Sequence, residues 1–133
     1  MWLLKTEPST YGYDDLEREG HATWDGVKNP AALANLRRMQ EGDAAFIYHT
    51  GDEKAVVGTA LVKRAAYPDP KARDPKLVVV DLQPAGRLAQ PVTLAELRAL
   101  PVFAQSPLLR QPRLSVVALT KAQWNALART VPE

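Results

Sequence analysis

Apolar and polar positions along this chain switch between a period of two and a period near 3.6, and each switch marks an element. Trp2, Leu3 and Leu4 open a short strand over 2–5 that stops before Pro8. Gly12 then reads as a helix N-cap, with Asp14 and Asp15 in the first turn, where negative charge suits the helix dipole. Tyr11 and Leu16 are spaced as a hydrophobic staple across that cap. A second helix starts with Asn29 as its cap and Pro30 at the first helical position; Leu33, Leu36 and Met39 form its apolar face and Gly42 its left-handed stop.

Alternation returns in DAAFIYHT (43–50), which puts Phe46 and Tyr48 on one face of a strand and Ile47 and His49 on the other. A turn at GDEK (51–54) leads into AVVGTALVKR (55–64), so these segments predict an antiparallel hairpin in which Gly58 marks a bulge or a close backbone approach. The proline-rich AYPDPKARDP (66–75) predicts a surface loop. KLVVVDLQPAGRL (76–88) predicts a strand covered on both faces. Thr93 with Glu96 forms a capping box and Val92 with Leu97 a staple, opening a short helix that Pro101 ends. RLSVVAL (113–119) predicts a last strand, and Thr120 with Gln123, and Leu119 with Trp124, repeat the box and staple for a terminal helix. Strands clustered centrally with helices outside predict an α+β fold, a small curled barrel with peripheral helices.

Composition narrows the picture without redrawing it. The 133 residues suit a single domain, 1–133, with 46% hydrophobic and 24% charged residues. The absence of cysteine excludes disulfides and thiolate metal sites and agrees with a cytoplasmic location. No apolar run reaches the about 18 residues of a membrane span, and MWLLKTEPS is expected to open the mature fold rather than act as a leader. A net charge of +2 allows a polyanionic partner without requiring one.

Walker, GxGxxG, HExxH and GxSxG motifs are all missing, and His21 and His49 are the only histidines, so neither a metal nor a cofactor is expected. What remains is an aromatic and polar set: Lys5, Thr6, Glu7, Trp24, Asn29, Tyr48, His49 and Thr50. These residues fall at strand ends and at a helix entrance, which a small barrel brings to one mouth. There an aromatic face would stack on a planar base while carboxylate, amide and hydroxyl groups read its edge. Each has a structural role available too: Trp24 as core, Asn29 as cap, Lys5 and Glu7 as a surface pair, Tyr48 beside Phe46. Trp2 and Trp124 are read as core. Arg37 and Arg38 lie off the apolar face of their helix, Lys71, Arg73 and Lys76 belong to the proline loop, and Lys28, Arg110 and Arg113 are candidates for phosphate contact.

WLLKTEPSTYGYDDL, WDGVKNPAALANLRRMQEGDAAFIYHT, VVGTALVKRAAYPDP and RLSVVALT resemble, in order and from Trp2 to Trp124, the motif blocks of the EVE domain family. The resemblance implies a PUA-like β-barrel of about five to six strands, mixed and mostly antiparallel, with peripheral α-helices, related to the YTH domains that read methylated adenine in RNA. It implies a non-catalytic module that holds a flipped modified base, chiefly a modified cytosine in DNA, or in RNA. The matching pocket positions are Lys5, Thr6, Glu7 and Trp24; Tyr48, His49 and Thr50 match a Tyr-His-Ser segment with threonine for serine, and Arg113 to Val116 match an Arg-Leu-Ser-Val block, so that Arg113 and Ser115 join Lys28, read from its place before the cap, as expected backbone contacts. The expected partners are modified DNA or RNA and a nuclease or restriction-type protein, with no membrane, for a monomer. The alternative is an amidohydrolase like the ASCH proteins, acting on a modified nucleoside through Lys5, Thr6 and Glu7; alternation along a strand puts only Lys5 and Glu7 on one side. A protein-interaction domain is the third reading.

Overall fold

Residues 1–128 are described by the computed structural model. The chain runs β1 (Trp2–Thr6), α1 (Tyr13–Glu19), β2 (Ala22–Trp24), α2 (Pro30–Arg38), β3 (Ala44–His49), β4 (Ala55–Pro68), β5 (Val78–Thr93), α3 (Leu94–Ala99), a 3-10 turn at Pro101–Phe103, α4 (Pro107–Arg110), β6 (Val116–Ala118) and α5 (Lys121–Ala128). The six strands form one mixed sheet in the order β2-β5-β4-β3-β1-β6. β1 and β3 pair in parallel, with Trp2 opposite Ala45 and Thr6 opposite His49; the other pairs are antiparallel. Register breaks at Val56/Gly58, Thr59/Ala60, Val62/Arg64 and Arg64/Tyr67 bend the long β4–β5 ribbon, because each extra residue locally kinks and twists its strand. The sheet thereby curls into a half-barrel, the α+β architecture expected from the sequence.

Capping chemistry places the helices. The N–H of Gly12 is bonded by the Asp15 carboxylate at 2.8 Å, Asn29 Oδ1 accepts from the N–H groups of Ala31 and Ala32 at 2.9 and 3.1 Å, and the Thr93/Glu96 and Thr120/Gln123 boxes form as spaced. The apolar stripe of α2, with Ala32, Leu33 and Leu36 buried, covers the sheet. On the two faces of the sheet Leu3, Leu4, Phe46, Ile47, Val56 and Leu82 are fully buried, each large apolar side chain contributing about 1.5–3 kcal/mol through removal from water. Trp2 is core, with its indole N–H donating to Asp43 at 3.0 Å. Trp124 packs its ring 4.2 Å from that of Phe46.

Several boundaries differ from the pattern-based expectation. β2 is a strand where the sequence predicts only a turn; three residues are too few to show a period, and its pairing with Val80–Leu82 is non-local. β4 continues to Pro68 through part of the expected loop, since Tyr67 and Pro68 still pair with Val79 and Val78. Helix α2 ends at Met39 rather than at Gly42; Gly42 does take a left-handed φ of 92°, but in the turn that feeds β3. The last strand shrinks to Val116–Ala118, and the 3-10 turn and α4, both opened by proline, were not marked by any period.

Gly58 meets its expectation fully. It sits at a register break, and a Cβ there would lie 2.6 Å from two ring carbons of Tyr13. That ring is fully buried, and its hydroxyl donates to the Thr59 carbonyl at 2.8 Å while accepting from the Gly86 N–H at 3.1 Å. Tyr13 thus clamps α1 onto the sheet, and α1 carries the loop that bounds the cleft described next.

Candidate functional site

Between the opposite ends of the strand order lies a cleft of about 460 Å³, within the size range of small-ligand sites. One wall is the end of β1 and the following turn, with Lys5, Thr6, Glu7, Thr10 and Tyr11; the other is Thr23 and Trp24 of β2 with Asp25, Gly26 and Val27. Ser115, just before β6, closes the base.

The first wall is rigid because the turn satisfies its own backbone. The N–H groups of Thr10 and Tyr11 both donate to the Glu7 carbonyl, at 3.0 and 2.9 Å. Thr6 Oγ1 donates to the Tyr11 carbonyl at 2.6 Å. The Glu7 carboxylate accepts from the Ser9 N–H and hydroxyl at 3.2 and 3.1 Å and from the Thr50 hydroxyl at 3.3 Å. The Ser9 backbone bond, foremost, holds its carboxyl below the usual range, so it presents a carboxylate. Lys5 Nζ donates to the Pro112 carbonyl at 3.2 Å, and burial pulls its ammonium below the usual lysine value.

The second wall is aromatic. Trp24 is 8% exposed, so it belongs to the core and still lines the cleft. The Tyr11 ring meets it edge-on, with centroids 6.2 Å apart and planes at 88°, a geometry aromatic quadrupoles favour. Burial first, and then its 2.9 Å bond to Glu19, push the Tyr11 hydroxyl up to about 12, and that bond commits its proton to Glu19. Gly26, at φ 78°, turns the chain so that Asp25 and Val27 follow Trp24 around the mouth. Two aromatic rings, two carboxylates, hydroxyls and one ammonium suit a flat heterocycle with donors and acceptors on its edge.

Of the residues singled out from sequence, Lys5, Thr6, Glu7, Trp24 and Ser115 meet in this cleft. Asn29 does not line it: its oxygen is occupied by the two N–H groups that start α2. Tyr48 and Thr50 line a smaller cleft on the far side of Lys5. His49 is 7% exposed and works inside the fold. Its Nε2 accepts from the Tyr13 N–H at 2.9 Å, which assigns the ring proton to Nδ1, where it is donated to Glu53 at 2.6 Å. Lys28 and Arg113 line neither cleft. Sequence reasoning missed Thr10, Tyr11, Thr23, Asp25, Gly26 and Val27. Tyr11 was legible only as a staple, whereas the Asp25–Gly26–Val27 turn directly follows Trp24 in the chain.

Among the described residues no group of three or more His, Asp or Glu side chains is placed to hold a metal ion, and no helix is long and apolar enough to cross a membrane.

Comparison with known proteins adds five observations. The family model described as "EVE domain" matches residues 1–130. Thymocyte nuclear protein 1 of Mus musculus is 30% identical over 93% of this chain and 70% of its own length. Among solved structures, Rpa0253 from Rhodopseudomonas palustris superposes with a TM-score of 0.91 at 38% identity, covering 97% of this chain and 90% of that one. The human THYN1 protein in complex with 5-methylcytosine containing DNA superposes with a TM-score of 0.89 at 27% identity, covering 99% and 98%. An ASCH protein from Zymomonas mobilis shares the fold alone, with a TM-score of 0.63 at 12% identity over 99% of this chain and 96% of that one.

Proposed function

The chain belongs to the EVE domain family, and from that premise we propose that it is a non-catalytic module that reads a modified base, a modified cytosine in DNA in the first instance, by taking the extruded base into the cleft beside Trp24. The observation that carries this reading is the cleft itself: an aromatic pair, Trp24 from one wall and Tyr11 from the other, with Thr6, Glu7, Thr23, Asp25 and Ser115 lining the same space. It has the elements a flipped base needs, a ring to lie against and polar groups at its Watson–Crick edge. The solved complex of human THYN1 with 5-methylcytosine DNA supports the same ligand class. Lys28 and Arg113 are assigned to the nucleic-acid backbone outside the cleft. RNA is the alternative strand, and a nuclease partner, a monomeric state and a cytoplasmic location belong to the same proposal.

The hydrolase alternative draws on one observation, the lowered ammonium of Lys5, which moves it toward use as a base. Glu7 moves away from that use, since its carboxyl is held low, and Thr6 commits its hydroxyl proton to the Tyr11 carbonyl. The Lys-Thr-Glu trio therefore reads as cleft wall rather than as a catalytic set.

The test is an affinity screen against oligonucleotides that differ only in one modified cytosine or adenine, at fixed salt, using the parent protein and Trp24→Leu. Leucine keeps the position apolar, and a thermal melt checks the fold. Stacking on an aromatic ring contributes about 1–3 kcal/mol per base, so the variant should lose about 5- to 150-fold in affinity for the preferred modified strand. Equal binding of all strands by the parent, or an unchanged preference in the folded variant, contradicts the assignment.

A further inference from the structure

The smaller cleft, of about 180 Å³, has no assigned role. Lys5 lines both clefts and so separates them. Lys54, in the turn between β3 and β4, and Arg98, on α3, line the smaller cleft with it, together with Tyr48, Leu94 and Leu108. Among the described residues no acidic side chain lines it, and none of these three cations is paired with a carboxylate within 4.0 Å. Glu7 approaches the rim through Thr50 but is engaged by Ser9 and lines the first cleft. Three cations sharing a small depression with leucine and proline in its lining repel one another, and the low-dielectric lining strengthens that repulsion. An anion removes it.

The backbone at this place is built for position rather than ease. Lys54 holds a φ of 46°, and it is the one residue other than glycine with a left-handed φ among the described residues. Side chains avoid that conformation, and such residues concentrate at ligand-binding sites. Its carbonyl accepts the Leu94 N–H at 2.8 Å, which ties the turn to the start of α3 and fixes Lys54 relative to Arg98.

We propose that this second cleft is a phosphate subsite, holding through Lys54, Arg98 and Lys5 the backbone phosphate that flanks a base lodged in the first cleft. The strand assignment rests on the function proposed above; the phosphate assignment rests on the cleft alone. Division of labour follows: the first cleft discriminates between bases, while the second contributes affinity that is blind to the base.

The experiment measures binding of a duplex carrying one 5-methylcytosine, and of its unmodified twin, by fluorescence anisotropy across a series of salt concentrations. Parent protein is compared with the double variant Lys54→Ala/Arg98→Ala and with Lys71→Ala/Arg73→Ala, which removes the same charge from the turn after β4. Each phosphate contact contributes about 0.9 to the slope of log affinity against log salt for duplex DNA. The Lys54/Arg98 variant should therefore bind both duplexes more weakly by the same factor, with a slope smaller by about 1–2 and an unchanged ratio of modified to plain affinity. The Lys71/Arg73 variant should keep the parent slope. An unchanged slope in the Lys54/Arg98 variant, or the same loss in the Lys71/Arg73 variant, overturns the subsite. A parent that binds both duplexes equally, yet loses slope with Lys54 and Arg98, overturns base reading and upholds the subsite; a parent that binds neither overturns both. A titration with inorganic phosphate, followed by the amide signals of Lys54 and Leu94, separates the sources. Saturable shifts there, with oligonucleotide binding untouched by the double variant, would assign the cleft to a free phosphate and refute the strand.

Discussion

Replacing Gly58 by alanine tests the clamp that holds the cleft's first wall. Gly58 does not have a left-handed φ, so alanine meets no backbone strain there, and only space is at issue. The added Cβ would sit 2.6, 2.6 and 2.9 Å from Cε2, Cζ and Cε1 of a ring that is fully buried and bonded at its hydroxyl to Thr59 and Gly86. Overpacking of this kind costs about 1–3 kcal/mol. Moving the ring far enough to relieve it forfeits one of the hydroxyl's hydrogen bonds, about 1 kcal/mol more. The reduced freedom of the unfolded chain returns about 0.4–1 kcal/mol. The net expectation is a loss of about 1–3.5 kcal/mol. With 133 residues at about 2.1 cal/mol/K each, the unfolding entropy is about 280 cal/mol/K, so the melting temperature should fall by about 4–12 °C. Calorimetry or circular dichroism reads this directly. In a Tyr13→Leu background the clashing ring atoms are gone, and Gly58→Ala should there cost less by about 1–3 kcal/mol. A single variant that melts with the parent, or a penalty of the same size in both backgrounds, refutes the steric argument.

Three further outcomes are expected. Asn29→Ala should destabilise the fold by about 1 kcal/mol through loss of the α2 cap while leaving discrimination between modified and plain oligonucleotides intact; a selective loss of the modified ligand would place Asn29 at the base after all. His49→Ala leaves the buried Tyr13 N–H without its acceptor, so a loss of at least about 1–3 kcal/mol is expected, again read as stability in urea rather than as base selectivity. Burial raises the hydroxyls of Tyr11, Tyr13 and Tyr48, and the bond to Asp81 raises that of Tyr67, with Tyr11 reaching about 12. Since these groups keep their protons longer when folded, their contribution is complete below the unfolded value near 10 and is lost as pH rises through their raised folded values, about 12 in the case of Tyr11. Phenolate absorbance of the folded protein should therefore lag behind that of the protein in denaturant throughout this range, and coincident curves would contradict it.

Much of the fold was legible because its helices announce themselves locally. The caps at Asn29, Thr93 and Thr120 and the alternation of β3 depend on residues within a turn of one another, and they stand where spacing puts them. What was not legible depends on distant partners. β2 exists because Thr23 and Trp24 find Asp81 and Val80 across the chain, and Tyr67 stays in β4 because Val79 pairs with it. The same divide runs through the site. Thr6, Glu7 and Trp24 were recognisable from their motif blocks, whereas Tyr11 faces Trp24 only once α1 and β2 are folded together. His49 was read for its chemistry, but a ring nitrogen that accepts a helix's first N–H is a partnership no spacing reveals. Tyr48 and Thr50 share a strand end with the cleft in sequence, but Tyr48 pairs opposite Lys5 and both residues line the cleft on that side.

The account turns on whether Trp24 borders the place where a modified base rests. The most direct measurement follows the indole N–H signal of Trp24, assigned by its loss in Trp24→Leu, as a duplex bearing one 5-methylcytosine is titrated into labelled protein. The account predicts that this signal moves and saturates with the modified duplex, and that the unmodified twin at equal concentration leaves it in place. A Trp24 signal that stays fixed while the modified duplex binds elsewhere on the surface would contradict it.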